Sequence, residues 1–181
     1  SIMGTIAEQE TIHADISNIS DPDGIGELNF QWMANDAHID GANAQTLFLD
    51  QSLIGKLISV EVSYTDVYGV TETIESDPTI AVQNVNVSPT GLPVIEGNVV
   101  KFETLSVDVT SIEDLDGLGF LNFQWLADGQ IINGANSDTF TLTRNEVGKA
   151  ISVEVKYTDG EGTDETLISA ATPLVEAFVF D

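Results

Sequence analysis

The sequence predicts an all-β chain of two tandem sandwiches, and three observations carry that prediction. The first is an internal repeat. Trp32 and Trp125 stand 93 positions apart, and the same offset relates Gly4 to Gly97, Asp15 to Asp108, Gly41 to Gly134, Gly55 to Gly148, Tyr64 to Tyr157 and Ser76 to Ser169 without a gap. A period this long fits independent domains rather than a solenoid, whose repeats run to roughly 20–50 residues. The second is strict alternation of apolar and polar residues, which marks strands because successive side chains face opposite sides of a sheet. The third is a regular supply of turn residues between the alternating runs.

Each element can be read in order. Ile12, Ala14 and Ile16, with Leu105, Val107 and Val109 in the second copy, form an early strand. An acidic, glycine-bearing turn follows, Asp21-Pro22-Asp23-Gly24-Ile25-Gly26 and Asp114-Leu115-Asp116-Gly117-Leu118-Gly119, and runs into a strand ending on tryptophan. Leu28, Phe30 and Trp32 share one face of that strand, as do Leu121, Phe123 and Trp125. Ala127-Asp-Gly-Gln130 is a hairpin turn in which glycine takes positive φ freely; Ala34-Asn-Asp-Ala37 must do the same with residues that tolerate it less well. Leu47 and Leu49, or Phe140 and Leu142, face inward on the next strand. Ile58, Val60, Val62 and Tyr64, repeated as Ile151, Val153, Val155 and Tyr157, define the longest strand. Asp159-Gly-Glu-Gly162 is a second tight turn; its counterpart Asp66-Val-Tyr-Gly69 has lost the first glycine and gained a tyrosine. A lone tyrosine of this kind more often packs on a neighbour than stacks on a ligand. No stretch carries a helical period. The repeat places the domains at 1–88 and 89–181, with a short, stiff connection at about 88–93 that holds Pro89 and Pro93.

Composition bounds the rest. The chain has 181 residues, five basic against thirty acidic, for a net charge of −25, and no cysteine. Disulfides, thiol nucleophiles and thiolate metal sites are excluded. Nucleic-acid partners and anionic membrane surfaces are disfavoured, because both need a cationic face. No apolar run approaches a membrane span. No signal peptide is visible at Ser1, so the chain is expected to be a piece of a longer one. The self-repulsion of so many carboxylates favours either a surface tuned to salt or specific divalent-cation binding.

The order of elements is specific: a tryptophan strand, a hairpin, a Leu-x-Leu strand, a Gly-Lys corner at Ile54-Gly-Lys56 and Val147-Gly-Lys149, then the long alternating strand. It resembles strands C, C′, E and F of an immunoglobulin-like sandwich, with the tryptophan buried between the sheets and the usual cysteines absent. The fold expected is therefore two tandem immunoglobulin-like β-sandwiches without disulfides. The wording resembles the tandem Ig-like repeats of very large bacterial surface proteins, RTX-type adhesins and related calcium-associated repeat proteins. The motifs are Asp-x-Asp-Gly-x-Gly, Phe-Gln-Trp, Ile-x-Gly-Ala-Asn, Val-Gly-Lys, Tyr-Thr-Asp and Gly-Thr-x-Glu, and the resemblance runs through both repeats. The resemblance implies an extracellular or bacterial cell-surface location and a role as one link of a rod, with neighbouring repeats of the same chain as partners. The first repeat departs from the pattern at Asp66-Val-Tyr-Gly-Val70.

Asp21, Asp23, Asp114 and Asp116 are candidate calcium ligands, since calcium prefers several hard oxygens and paired carboxylates on a glycine-assisted turn supply them. The pattern is not an EF-hand loop: glycine comes fourth, and no bidentate glutamate follows at the twelfth position. The competing reading is a tight loop whose aspartates bond their own backbone amides. In an immunoglobulin-like sandwich the B–C and F–G loops share one end. That adds Asp159 to Asp114 and Asp116 beside the Pro89–Pro93 connection, and Asp66 to Asp21 and Asp23 in the first copy. Catalysis is not expected. His13 and His38 map to Ser106 and Ile131, outside the repeated framework, and no nucleophile elbow, phosphate loop or zinc helix is present. The functional expectation is a non-enzymatic stalk repeat with no small-molecule substrate. The alternative is a carbohydrate- or protein-binding module of a surface protein or secreted hydrolase.

Overall fold

The structure is a computed structural model that describes residues 1–177. The chain divides into two compact units, Ser1–Val85 and from Asn86 onward. The division falls three residues before the expected boundary because Asn86 and Val87 are hydrogen-bonded to side chains of the second unit, as detailed below.

The first unit holds seven strands, β1 (Ile2–Met3), β2 (Thr11–Ala14), β3 (Asn29–Ala34), β4 (Ala37–His38), β5 (Thr46–Phe48), β6 (Ile58–Thr65) and β7 (Thr71–Glu75). A single 3₁₀ turn, Gln51–Leu53, sits between β5 and β6, with the Asp50 carboxylate accepting the Ser52 N–H. The second unit repeats the set as β8 (Val94–Glu96), β9 (Thr104–Asp108), β10 (Asn122–Ala127), β11 (Gln130–Ile131), β12 (Thr139–Thr141), β13 (Ile151–Thr158) and β14 (Asp164–Ile168). Every strand from β3 to β7 maps onto β10 to β14 at the 93-residue offset.

All named strand pairs are antiparallel. In the first unit the sheets run β1-β2-β5 and β4-β3-β6-β7; in the second they run β8-β9-β12 and β11-β10-β13-β14. The register repeats as well: Trp32 lies opposite Val60, and Trp125 opposite Val153. Because side chains alternate, one face of each sheet is committed to the interior. In the first unit Ile12, Ala14 and Leu47 from the smaller sheet, with Leu49 just beyond β5, meet Trp32, Ile58, Val60 and Val62 from the larger one in a single apolar cluster. Leu105, Leu142, Trp125, Ile151 and Val153 do the same in the second. Two antiparallel sheets closed over one shared core make each unit a β-sandwich.

Both tryptophans are fully buried, and each satisfies its indole N–H on a backbone carbonyl, Trp32 on Ala44 at 2.9 Å and Trp125 on Ser137 at 2.8 Å. Phe140 is stacked on Trp125 with ring centroids 5.7 Å apart. Both hairpins use left-handed backbone at the two central residues, φ 50 and 64 at Asn35 and Asp36, and 49 and 74 at Asp128 and Gly129. That is the type I′ geometry whose twist matches the flanking strands. Tyr68 does not pack on a neighbour: it is 78% exposed at the tip of its loop.

Candidate functional site

The acidic turns lie at one end of each sandwich, where the loop before the tryptophan strand meets the loop after the longest strand. In the second unit the turn begins with Asp114, whose Oδ1 accepts the Asp116 N–H at 2.9 Å. Gly117 follows at φ 94. Gly119 then passes so close to β13 that a Cβ there would lie 1.9 Å from the Thr158 carbonyl oxygen. Only glycine allows that approach. The other oxygen of Asp114 accepts the Tyr157 hydroxyl at 2.5 Å, which ties the turn to the strand that runs beneath it.

The facing loop is organised by Asp159. Its Oδ1 accepts the N–H groups of Glu161 at 2.9 Å and Thr163 at 2.7 Å, and the Gly160 N–H donates to the Asp116 carbonyl at 2.9 Å. Asp159 is 6% exposed, and its second oxygen, Oδ2, is buried without a hydrogen-bond partner. Asp116 is also buried; its Oδ2 accepts the Val87 N–H at 2.7 Å. The Asn86 side chain donates to Glu165 at 3.0 Å, Thr90 and Glu113 exchange backbone hydrogen bonds, and Ser111 Oγ donates to the Leu92 carbonyl. Residues 86–92 are thus fastened to the second unit along much of their length.

The first unit repeats the design. Asp21 Oδ1 accepts the Asp23 N–H at 2.8 Å and Asp21 Oδ2 the Tyr64 hydroxyl at 2.9 Å. Asp66 Oδ1 accepts the N–H groups of Tyr68 and Val70, both at 2.8 Å. The Val67 N–H reaches the Asp23 carbonyl at 3.4 Å. In both units burial, and next the neighbouring aspartate, pushes the tyrosine hydroxyl above the ordinary phenol range.

All six sequence-predicted residues therefore sit in these loops, Asp114, Asp116 and Asp159 at one end and Asp21, Asp23 and Asp66 at the other equivalent one. Much of their oxygen is engaged by backbone amides and a phenol. Among the described residues no three His, Cys, Asp or Glu side chains converge as ligands for a metal ion. What fits a hard cation is Asp159 Oδ2, a buried anionic oxygen that no donor satisfies, because an unpaired buried charge is strongly unfavourable. Both histidines are exposed.

Sequence reasoning did not reach the Val87 N–H or the two buried glutamates. A backbone N–H carries no signature in the side-chain alphabet. Glu146 does carry one: Thr143-x-x-Glu146 is a capping-box pattern, and Glu146 accepts both the Thr143 N–H at 2.8 Å and its hydroxyl at 2.7 Å. Glu8, 2% exposed, has Lys101 at its repeat position and so no repeated signal. A scan against protein-family models finds no match, and a search of curated proteins finds none either.

Proposed function

We propose that the chain is a non-enzymatic extender, two tandem immunoglobulin-like sandwiches that act as links in a large bacterial surface adhesin and work outside the cell. The strand orders β1-β2-β5 and β4-β3-β6-β7 correspond to A-B-E and C′-C-F-G of that fold. The observation that carries the reading is the fastening of residues 86–92 to the second unit, with the Val87 N–H on buried Asp116. A chain that must transmit force needs its incoming segment bonded to the body it enters, rather than a free tether. Calcium belongs to this reading at the acidic loop end, with Asp159 Oδ2 as the oxygen that calls for it. The test is an array of glycans and surface proteins probed with the intact chain: a stalk repeat shows no saturable binding. The ligand-binding alternative has one feature in its favour, the exposed Tyr68, where the second repeat carries Glu161. Saturable binding lost in Tyr68→Ala would establish it and remove the extender reading.

A further inference from the structure

The first unit buries an acid that the repeat does not supply. Glu8 is 2% exposed, its Oε2 accepts no hydrogen bond, and among the described residues no ion pair reaches it. Its place on the chain explains why it points inward. The segment before β2 runs parallel to the one after β7. Ala7 pairs with Gln83, the Glu8 N–H donates to the Gln83 carbonyl at 2.8 Å, and the Gln83 N–H donates to the Ile6 carbonyl at 3.0 Å. Side chains alternate along both segments, so Ile6 and Glu8 share one side, and Val82 and Asn84 share it with them. Val82 belongs to the core cluster of the unit, and Ile6 packs against that cluster. Glu8 and Asn84 therefore extend the two core-facing rows by one step, as cross-strand neighbours.

Asn84 carries a second, independent observation. Its Oδ1 is also buried and accepts no hydrogen bond. One carboxylate oxygen and one amide oxygen thus stand on the same side of the pair, each without a donor. An unpaired buried anion is strongly unfavourable, and an undonated buried amide oxygen adds its own desolvation cost. An ionised carboxylate only accepts, so two acceptors do not relieve each other. A cation relieves both. A carboxylate beside an amide carbonyl is a pair of hard oxygens of the kind calcium takes, with water completing its shell of about six to eight ligands. The second repeat has Lys101 and Ala177 at the two positions, so the pair is an addition of the first repeat and not part of the shared framework.

We propose that Glu8 Oε2 and Asn84 Oδ1 bind one calcium ion in the first unit. The ion cross-links the segment before β2 to the segment after β7 and so stabilises this unit. The site shares no residue with the acidic loops and does not rest on the calcium reading of Asp159.

The test is scanning calorimetry of the intact chain in chelator, in millimolar calcium, and in sodium chloride of matched ionic strength. Trp32→Ala and Trp125→Ala assign the two transitions. Glu8→Gln keeps the shape of the side chain and removes its charge; Asn84→Ala removes the amide oxygen. The expected result is that calcium, and not the matched salt, raises the first transition of the wild type. Glu8→Gln should not respond. Asn84→Ala should need at least tenfold more calcium for the same rise, since even the loss of a ligand's outer partner costs about 10–100-fold in metal affinity. A first transition that calcium moves no further than matched salt does, a wild-type response in Glu8→Gln, or an unaltered calcium requirement in Asn84→Ala overturns the proposal. A rise confined to the second transition also overturns it and leaves the Asp159 reading in place.

Discussion

Tyr157 and Asp114, 43 positions apart in sequence, share a 2.5 Å hydrogen bond from phenol to carboxylate, and Tyr64 and Asp21 repeat it at 2.9 Å across the same separation. Each bond joins the end of the longest strand to the turn that precedes the tryptophan strand. The carboxylate holds its own turn with one oxygen and the tyrosine with the other, so one side chain fixes both the local and the long-range geometry.

Removing the hydroxyl leaves Asp114 with an undonated, part-buried oxygen. Tyr157→Phe should therefore destabilise the second unit by about 1–3 kcal/mol, the usual cost of a hydrogen bond to a charged group. Tyr64→Phe should act in the same direction on the first. Calorimetry reads both; an unchanged transition in either variant would mean that the bond is replaced by water without loss.

The same bonds set an alkaline limit. Both tyrosines hold their protons more tightly in the folded chain than an ordinary phenol near pH 10 does. The folded state then binds more protons than the unfolded state above that pH, so stability is intact below about pH 10 and falls as pH rises further. Melting temperatures measured from pH 8 to 12 should stay level and then drop. Absorbance of phenolate near 295 nm should show two of the three tyrosines ionising with unfolding.

The core predicts independence of the two transitions. Trp32 and Trp125 are each fully buried in a cluster drawn from their own unit. Trp32→Ala and Trp125→Ala should each cost about 3–5 kcal/mol, the range for emptying a large aromatic site. Each should lower the transition of its own unit and leave the other near wild type. One mutation that melts both together would contradict separate cores.

Two glycines, Gly119 in the acidic turn and Gly134 in the loop after β11, separate packing from conformation. A Cβ at position 119 meets the Thr158 carbonyl oxygen at 1.9 Å, whereas one at Gly134 meets nothing within 4 Å. Gly134 sits at φ 80, so Gly134→Ala carries only a left-handed backbone cost of about 1–2 kcal/mol. Gly119 is not left-handed; Gly119→Ala must instead push the turn off β13 and should cost more than twice as much. Urea denaturation of the pair decides it, and equal midpoints would mean that the close approach relaxes freely.

The fold was legible because burial writes a period into sequence. Ile58, Val60, Val62 and Tyr64 alternate, and all four are buried on one face. The repeat then supplied a second reading of every strand. The use of the acidic loops is not legible in the same way. The aspartates were found from their spacing on glycine turns, yet their oxygens are engaged largely by backbone amides, which every residue supplies and no pattern distinguishes. The attachment of the connection is hidden for the same reason: Pro89 and Pro93 suggest a stiff connection, while the bonds that tie residues 86–92 to the second unit run through Asn86, Val87 and Thr90.

Asp159 decides the calcium question. Its Oδ1 is held by two amides and its Oδ2 is buried and undonated. A carboxylate so placed destabilises the unit unless a cation meets it. Extracellular calcium sites have dissociation constants of about 0.1–1 mM, so millimolar calcium should raise the transition of the second unit, by about 2.7 kcal/mol at one hundred times the dissociation constant. Magnesium, which needs a tighter octahedral shell and keeps its water, should substitute poorly. Asp159→Asn keeps an oxygen for the two amides and removes the charge. In chelator it should melt at or above wild type, since it no longer buries an unpaired anion, and added calcium should leave it unmoved. If wild type melts at one temperature in calcium and in chelator at physiological salt, and Asp159→Asn melts below it in both, the carboxylate works only as a turn former and the loop end holds no calcium.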